Sequence, residues 1–187
     1  MTAPTTAYVG VEVPECRDQL LVLNGVAKTY AMPGWRRWLD GRPRARRQGR
    51  RQAAGPFELH VSNVPQRAAL AAVAGSLDEV HMMRESFDAR RKAIVAALND
   101  IPGVHCPTPT GAFYAFPDVT GLLGKPLGEN GTVVNTSSEL AAALLDEAHV
   151  AAVPGEAFGA PGYLRFSYAL ADDQLAEGMR RFRRWVG

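Results

Sequence analysis

Asn24-Gly25-Val26-Ala27-Lys28-Thr29-Tyr30-Ala31-Met32-Pro33-Gly34-Trp35-Arg36 places a lysine just beyond an apolar run and an arginine eight residues later. The run before it, Leu20-Leu21-Val22-Leu23, has the pattern of a short buried strand, and Asn24-Gly25 that of the turn ending it. A lysine just past a buried strand can be held partly out of water, which favours the neutral amine that attacks a carbonyl to form a Schiff base. An arginine eight residues on can turn back and clamp a phosphate with two parallel N–H donors. On spacing alone a lysine near a strand end is more often a solvated surface group.

Outward from this stretch, helical and extended patterns alternate. Ala68, Leu70, Ala71, Val73 and Ala74 predict a small-residue helix from Val64, with Pro65 in its first turn and Gly75 at its end. Residues 76–99 predict a long amphipathic helix on Leu77, Val80, Met83, Phe87, Ile94, Val95 and Leu98, stopped by Ile101-Pro102-Gly103. Strands are expected at 104–106, 112–116, 150–153 and 163–168, with a Gly-rich loop over 121–136. Two more helices are expected, one over 138–147 behind a capping pattern and one over 172–185 with Leu175, Met179, Phe182 and Val186 on one face. This alternation predicts an α/β or α+β layered architecture.

The chain has 187 residues, 47% hydrophobic and 21% charged, which suits a globular protein and disfavours disorder or coiled coil throughout. Its net charge of +2 conceals an asymmetry: residues 36–51 hold eight arginines and one acid, Asp40, so they carry +7 and the remainder −5. That run lacks interleaved aromatics, a helix-turn-helix pattern or a zinc site, so a nucleic-acid partner is not expected. No apolar run approaches a membrane span and Met1–Gly10 does not resemble a secretory signal, so a cytoplasmic chain is expected, with Cys16 and Cys106 as reduced thiols. His60, His81, His105 and His149 stand singly, so no metal site is expected.

The segment Asn24–Arg36 resembles the active-site lysine segment of class I and II aminotransferases, the fold type I pyridoxal-phosphate enzymes, and most closely their aspartate aminotransferase branch, with Pro33 where that branch has Thr and Ala27 where it often has Ser. The likeness continues in order: Pro109-Thr110-Gly111-Ala112-Phe113-Tyr114, then Val153-Pro154-Gly155-Glu156-Ala157-Phe158-Gly159, then Gly162-Tyr163-Leu164-Arg165-Phe166-Ser167-Tyr168-Ala169. The resemblance implies the end of a large domain in residues 1–75 and a small α+β domain in 76–187. It implies pyridoxal 5'-phosphate as cofactor, an amino acid and a 2-oxo acid as substrates, and a homodimer in the family. It makes Lys28 the cofactor-bonding and proton-moving lysine, Arg36 the phosphate ligand and Arg165 the anchor of the substrate carboxylate. Lys28 and these arginines are common to other pyridoxal-phosphate chemistries, a carbon–sulfur lyase or decarboxylase among them.

The resemblance covers roughly residues 11–36 and 63 to the C-terminus, about the last half of a family chain. The family residues that stack on the cofactor ring and pair with its pyridine nitrogen match no position here, so low or no activity by this chain alone is expected, and a non-catalytic remnant is the neighbouring reading. Residues 36–56 have no apolar periodicity and read as a long loop, which is unusual inside a compact domain. Codons permitted for Arg37 to Gln52, read one nucleotide downstream, can spell a family-like hydrophobic strand, so residues 37–62 are read as out of frame or disordered.

Overall fold

The computed structural model describes residues 13, 15, 22–35, 38–41 and 62–187, with 22, 23 and 38–41 as backbone. It divides into two compact units, Thr2–Met82 and, with Met1, Met83–Gly187.

In the first unit, β1 (Val22–Gly25) pairs antiparallel with β2 (Trp38–Gly41), Val22 opposite Gly41 and Gly25 opposite Trp38. The strand therefore runs through Asn24-Gly25, where the sequence suggests a turn. The reversal comes later, where the Met32 N–H reaches the Val26 carbonyl at 3.4 Å. β2 also interrupts the loop expected over 36–56. A ladder partner needs only backbone donors and acceptors, so the arginine-rich composition does not forbid it. Residues 42–61 lie outside the described residues.

Helix α1 (Asn63–Ala74) ends where the Gly75 N–H donates to the Ala71 carbonyl at 2.9 Å. Its inward stripe is Pro65, Ala68, Ala69 and Ala72, of which Ala69 is buried, while Leu70 and Val73 stand 58% and 46% exposed. With alanine all round, hydrophobicity does not single out a side, whereas the inward residues are related by helical spacings of three and four. Helix α2 (Asp78–Asn99) follows, with the Ser76 hydroxyl accepting the Asp78 N–H at 3.1 Å and Asp78 and Glu79 in its first turn, where helix N-terminal N–H groups favour negative charge.

The second unit holds an antiparallel sheet in the order β3 (Tyr114–Ala115), β7 (Leu164–Ser167), β6 (Val153–Pro154). Tyr114 lies opposite Ser167, and Val153 opposite Arg165. A hairpin, β4 (Pro126–Leu127) with β5 (Thr132–Val133), occupies the segment read as a Gly-rich loop. Of the strand expected at 104–106 a single bridge forms, His105 to Asp118, because Gly103 at φ +86° and Pro107 bound it too closely.

Helix α3 (Ser137–Ala148) is capped by Thr136, whose hydroxyl accepts the Glu139 N–H at 3.1 Å while the Glu139 carboxylate accepts the Asn135 N–H at 2.7 Å. The closing helix α4 (Asp172–Val186) buries Leu175, Met179, Phe182 and Trp185. Val186 is half-buried against the core as expected, and Trp185 joins it inward, its indole N–H donating to Glu147 at 3.0 Å. The core of this unit runs from Ile94 and Leu98 of α2 through Ala115, Leu140, Leu144, Leu164 and Phe166 to Phe182.

Candidate active site

Lys28 sits in the turn directly after β1, where Val26 is wholly buried and Lys28 is exposed. The desolvation expected from sequence is not met in the described residues, because the chain has already left the strand and Val26 is the residue turned inward. The turn is closed by the Ala31 N–H on the Lys28 carbonyl at 3.2 Å, with Ala31 in the left-handed region at φ +50°. A 3₁₀ turn over Pro33–Trp35 follows, its Trp35 N–H donating to the Met32 carbonyl at 3.4 Å. Arg36 lies outside the described residues.

Arg165, in the other unit, is half-buried on the central strand β7. Its guanidinium carbon lies 4.5 Å from the ring centre of Tyr114 on β3 and 4.4 Å from that of Phe158. Among the described residues no carboxylate lies within ion-pair distance of Arg165. Tyr114, Phe158 and Arg165 come from three separate motifs, so the sheet and its loop gather at one guanidinium what the chain spreads over 52 positions.

The loop carrying Phe158 is tightly specified. Gly155 is buried, its N–H donates to the Tyr163 carbonyl at 2.8 Å and its carbonyl accepts the Ala160 N–H at 2.9 Å. A methyl group at Gly155 would stand 2.0 Å from the Ala160 carbonyl oxygen. The Ser137 hydroxyl ties the loop to α3, donating to the Glu156 carboxylate at 2.7 Å and accepting the Gly162 N–H at 2.9 Å. That hydrogen bond first, then the backbone N–H groups at the turn and Ser138, hold the Glu156 carboxyl below its ordinary range. On the other side the Tyr168 hydroxyl donates to the carbonyl of Ala112, itself left-handed at φ +60°, at 3.0 Å, and the Tyr168 N–H donates to the Phe113 carbonyl at 3.0 Å. These bonds fix the segment that presents Tyr114.

Ser137 and Glu156 were not legible as a pair, since nothing in their identity or spacing joins a helix start to a turn residue nineteen positions on. Among the described residues no group of three or more His, Cys, Asp or Glu side chains is arranged to hold a metal, and no helix is long and apolar enough to cross a membrane.

The fold and these two elements define a class. The sequence profile of the family Aminotransferase class I and II matches residues 5–182, and the chain belongs to that family. It is 54% identical over 175 residues to an aspartate aminotransferase of Streptomyces avermitilis, a match covering 93% of this chain and 42% of the relative. A probable aspartate/prephenate aminotransferase of Rhizobium leguminosarum is 37% identical over 178 residues, 95% of this chain and 44% of the relative. The crystal structure of the aspartate aminotransferase from Rhizobium meliloti superposes with a TM-score of 0.87 at 36% identity, over 96% of this chain and 45% of that one. The fold is thus that of the C-terminal part of a fold type I aminotransferase. The chain spans somewhat under half the length of the relatives it matches.

Proposed function

We propose that this chain carries the C-terminal part of a pyridoxal-phosphate-dependent transaminase site that moves an amino group from an amino acid to a 2-oxo acid, in the manner of aspartate aminotransferases. The observation that carries the reading is the exposed Lys28 on the turn after β1, in a chain whose motifs recur in family order. The donor set suits pyridoxal 5'-phosphate: a primary amine for its aldehyde at Lys28 and, by resemblance, a guanidinium for its phosphate at Arg36. When bound, the cofactor supplies an electron sink and a carrier for the amino group.

Each of the chain's own groups then has one task. The Lys28 Nζ would hold the cofactor and would take and return the substrate α-proton. The Arg165 guanidinium pairs with the substrate α-carboxylate through parallel N–H donors, a task for which a planar fork suits better than an ammonium. The same reading carries a homodimeric assembly and a cytoplasmic location. It also carries low or no turnover by a polypeptide of these 187 residues alone.

The test is the absorbance of the purified chain with added pyridoxal phosphate, beside Lys28→Ala. A visible band that depends on Lys28 and that borohydride fixes to the protein supports the reading. No difference between the two proteins removes Lys28 from the site.

A further inference from the structure

Phe158 spends its ring unusually. It is 48% exposed, so its burial does little for the core, yet the ring meets the Arg165 guanidinium at 4.4 Å and is braced edge-on by Phe116 at 6.1 Å. Phe116 is in turn stacked on Tyr163 at 5.2 Å, and Tyr114, the other ring against Arg165, lies 4.6 Å from Phe113. A guanidinium attracted to aromatic rings keeps its N–H donors, which lie in its own plane, for a planar acceptor. The Gly155 hydrogen bonds and the Ser137–Glu156 tie fix the loop, and with it the place of the ring.

We infer that Phe158, together with Tyr114, is a positioning residue for Arg165, holding the guanidinium so that its N–H edge is presented to a carboxylate. The inference rests on the reading of Arg165 as the carboxylate anchor. Phe158 acts through Arg165 and touches no reacting atom.

The experiment uses the full chain, ¹⁵N-labelled, with the Arg165 Nε–Hε resonance identified by its loss in Arg165→Lys and followed during titration with succinate. Phe158→Leu keeps an apolar side chain of similar bulk but removes the ring, and Phe158→Tyr keeps the ring. Thermal unfolding of each variant serves as the control for folding. The expected result is a saturable shift in the wild-type chain, about three- to fivefold weaker succinate binding in Phe158→Leu, and wild-type binding in Phe158→Tyr, the size following from loss of one partly exposed cation–π contact. Unchanged affinity in Phe158→Leu overturns this inference and leaves the anchor reading standing. A loss that Phe158→Tyr shares gives Phe158 a merely structural part and also overturns it. A wild-type chain whose Arg165 resonance ignores succinate overturns the anchor reading, and this inference with it.

Discussion

The Ser137 hydroxyl, wholly buried at the start of α3, donates to the Glu156 carboxylate at 2.7 Å. The same oxygen accepts the Gly162 N–H at 2.9 Å, so one small side chain joins a helix start to both ends of the loop that carries Phe158. Ser137→Ala leaves the buried Gly162 N–H without that acceptor and is expected to destabilise the chain by about 1–3 kcal/mol, read from urea unfolding. Because the Glu156 carboxyl is held below its ordinary range, its contribution is fully present above the unfolded-state value and is lost as pH falls through the folded one. Ser137→Ala should therefore also flatten the acid side of the stability profile. A variant as stable as the wild-type chain, with the same acid limb, contradicts this account of the loop.

Gly155→Ala tests the same loop from inside. The added methyl group would meet the Ala160 carbonyl at 2.0 Å and the Tyr163 carbonyl at 2.8 Å; the Tyr163 oxygen accepts the residue 155 N–H and the Ala160 N–H donates to the residue 155 carbonyl, so neither residue can shift without straining those bonds. The expected cost is at or above the usual overpacking range of about 1–3 kcal/mol, with loss of the Arg165–Phe158 contact detectable in the Arg165 side-chain resonance. A fully stable variant with an unshifted resonance would show that the loop tolerates a wider path.

Asp88 accepts hydrogen bonds from Lys92 at 2.6 Å and from Arg91 at 2.6 Å and 3.0 Å, which lower its carboxyl from 3.8 to about 2. A depressed carboxylate stabilises the fold above its unfolded-state value and ceases to do so as pH falls through the folded one. The window is thus from about pH 4 down to about 2. Asp88→Asn is expected to lack the part of the acid destabilisation that the wild-type chain shows in that window, measured by unfolding at stepped pH. Identical acid limbs would mean that this exposed cluster contributes nothing.

A further prediction concerns the gene. We propose that residues 37–62 are read out of frame between two compensating shifts, because the sequence motifs read as carrying the family likeness end at Arg36 and resume at Asn63. Sequencing independent clones should find the two shifts. A verified coding sequence with no such alternate reading eliminates the proposal, and the pairing of Trp38–Gly41 with β1 does not decide it, since a backbone ladder is indifferent to the side chains it carries.

The long periodic elements were legible in the sequence. Helices α2, α3 and α4 fall within two residues of where their apolar spacing puts them, and Leu175, Met179 and Phe182 face inward as expected. Short elements were not. The hairpin at Pro126–Leu127 and Thr132–Val133 has two residues per strand, too few for a period-2 pattern to show. On α1, alanine and valine at nearly every turn conceal which face is buried.

Residue identity and order alone established the family likeness and singled out Lys28, Arg36 and Arg165, because an amine beside a strand end and planar guanidinium groups are chemical requirements that survive in local motifs. Only the tertiary structure decided that Tyr114 and Phe158 flank Arg165, and that Ser137 governs the loop bearing Phe158. Those contacts join residues 7 to 51 positions apart. They depend on strand register and helix placement, which no local pattern of side chains encodes.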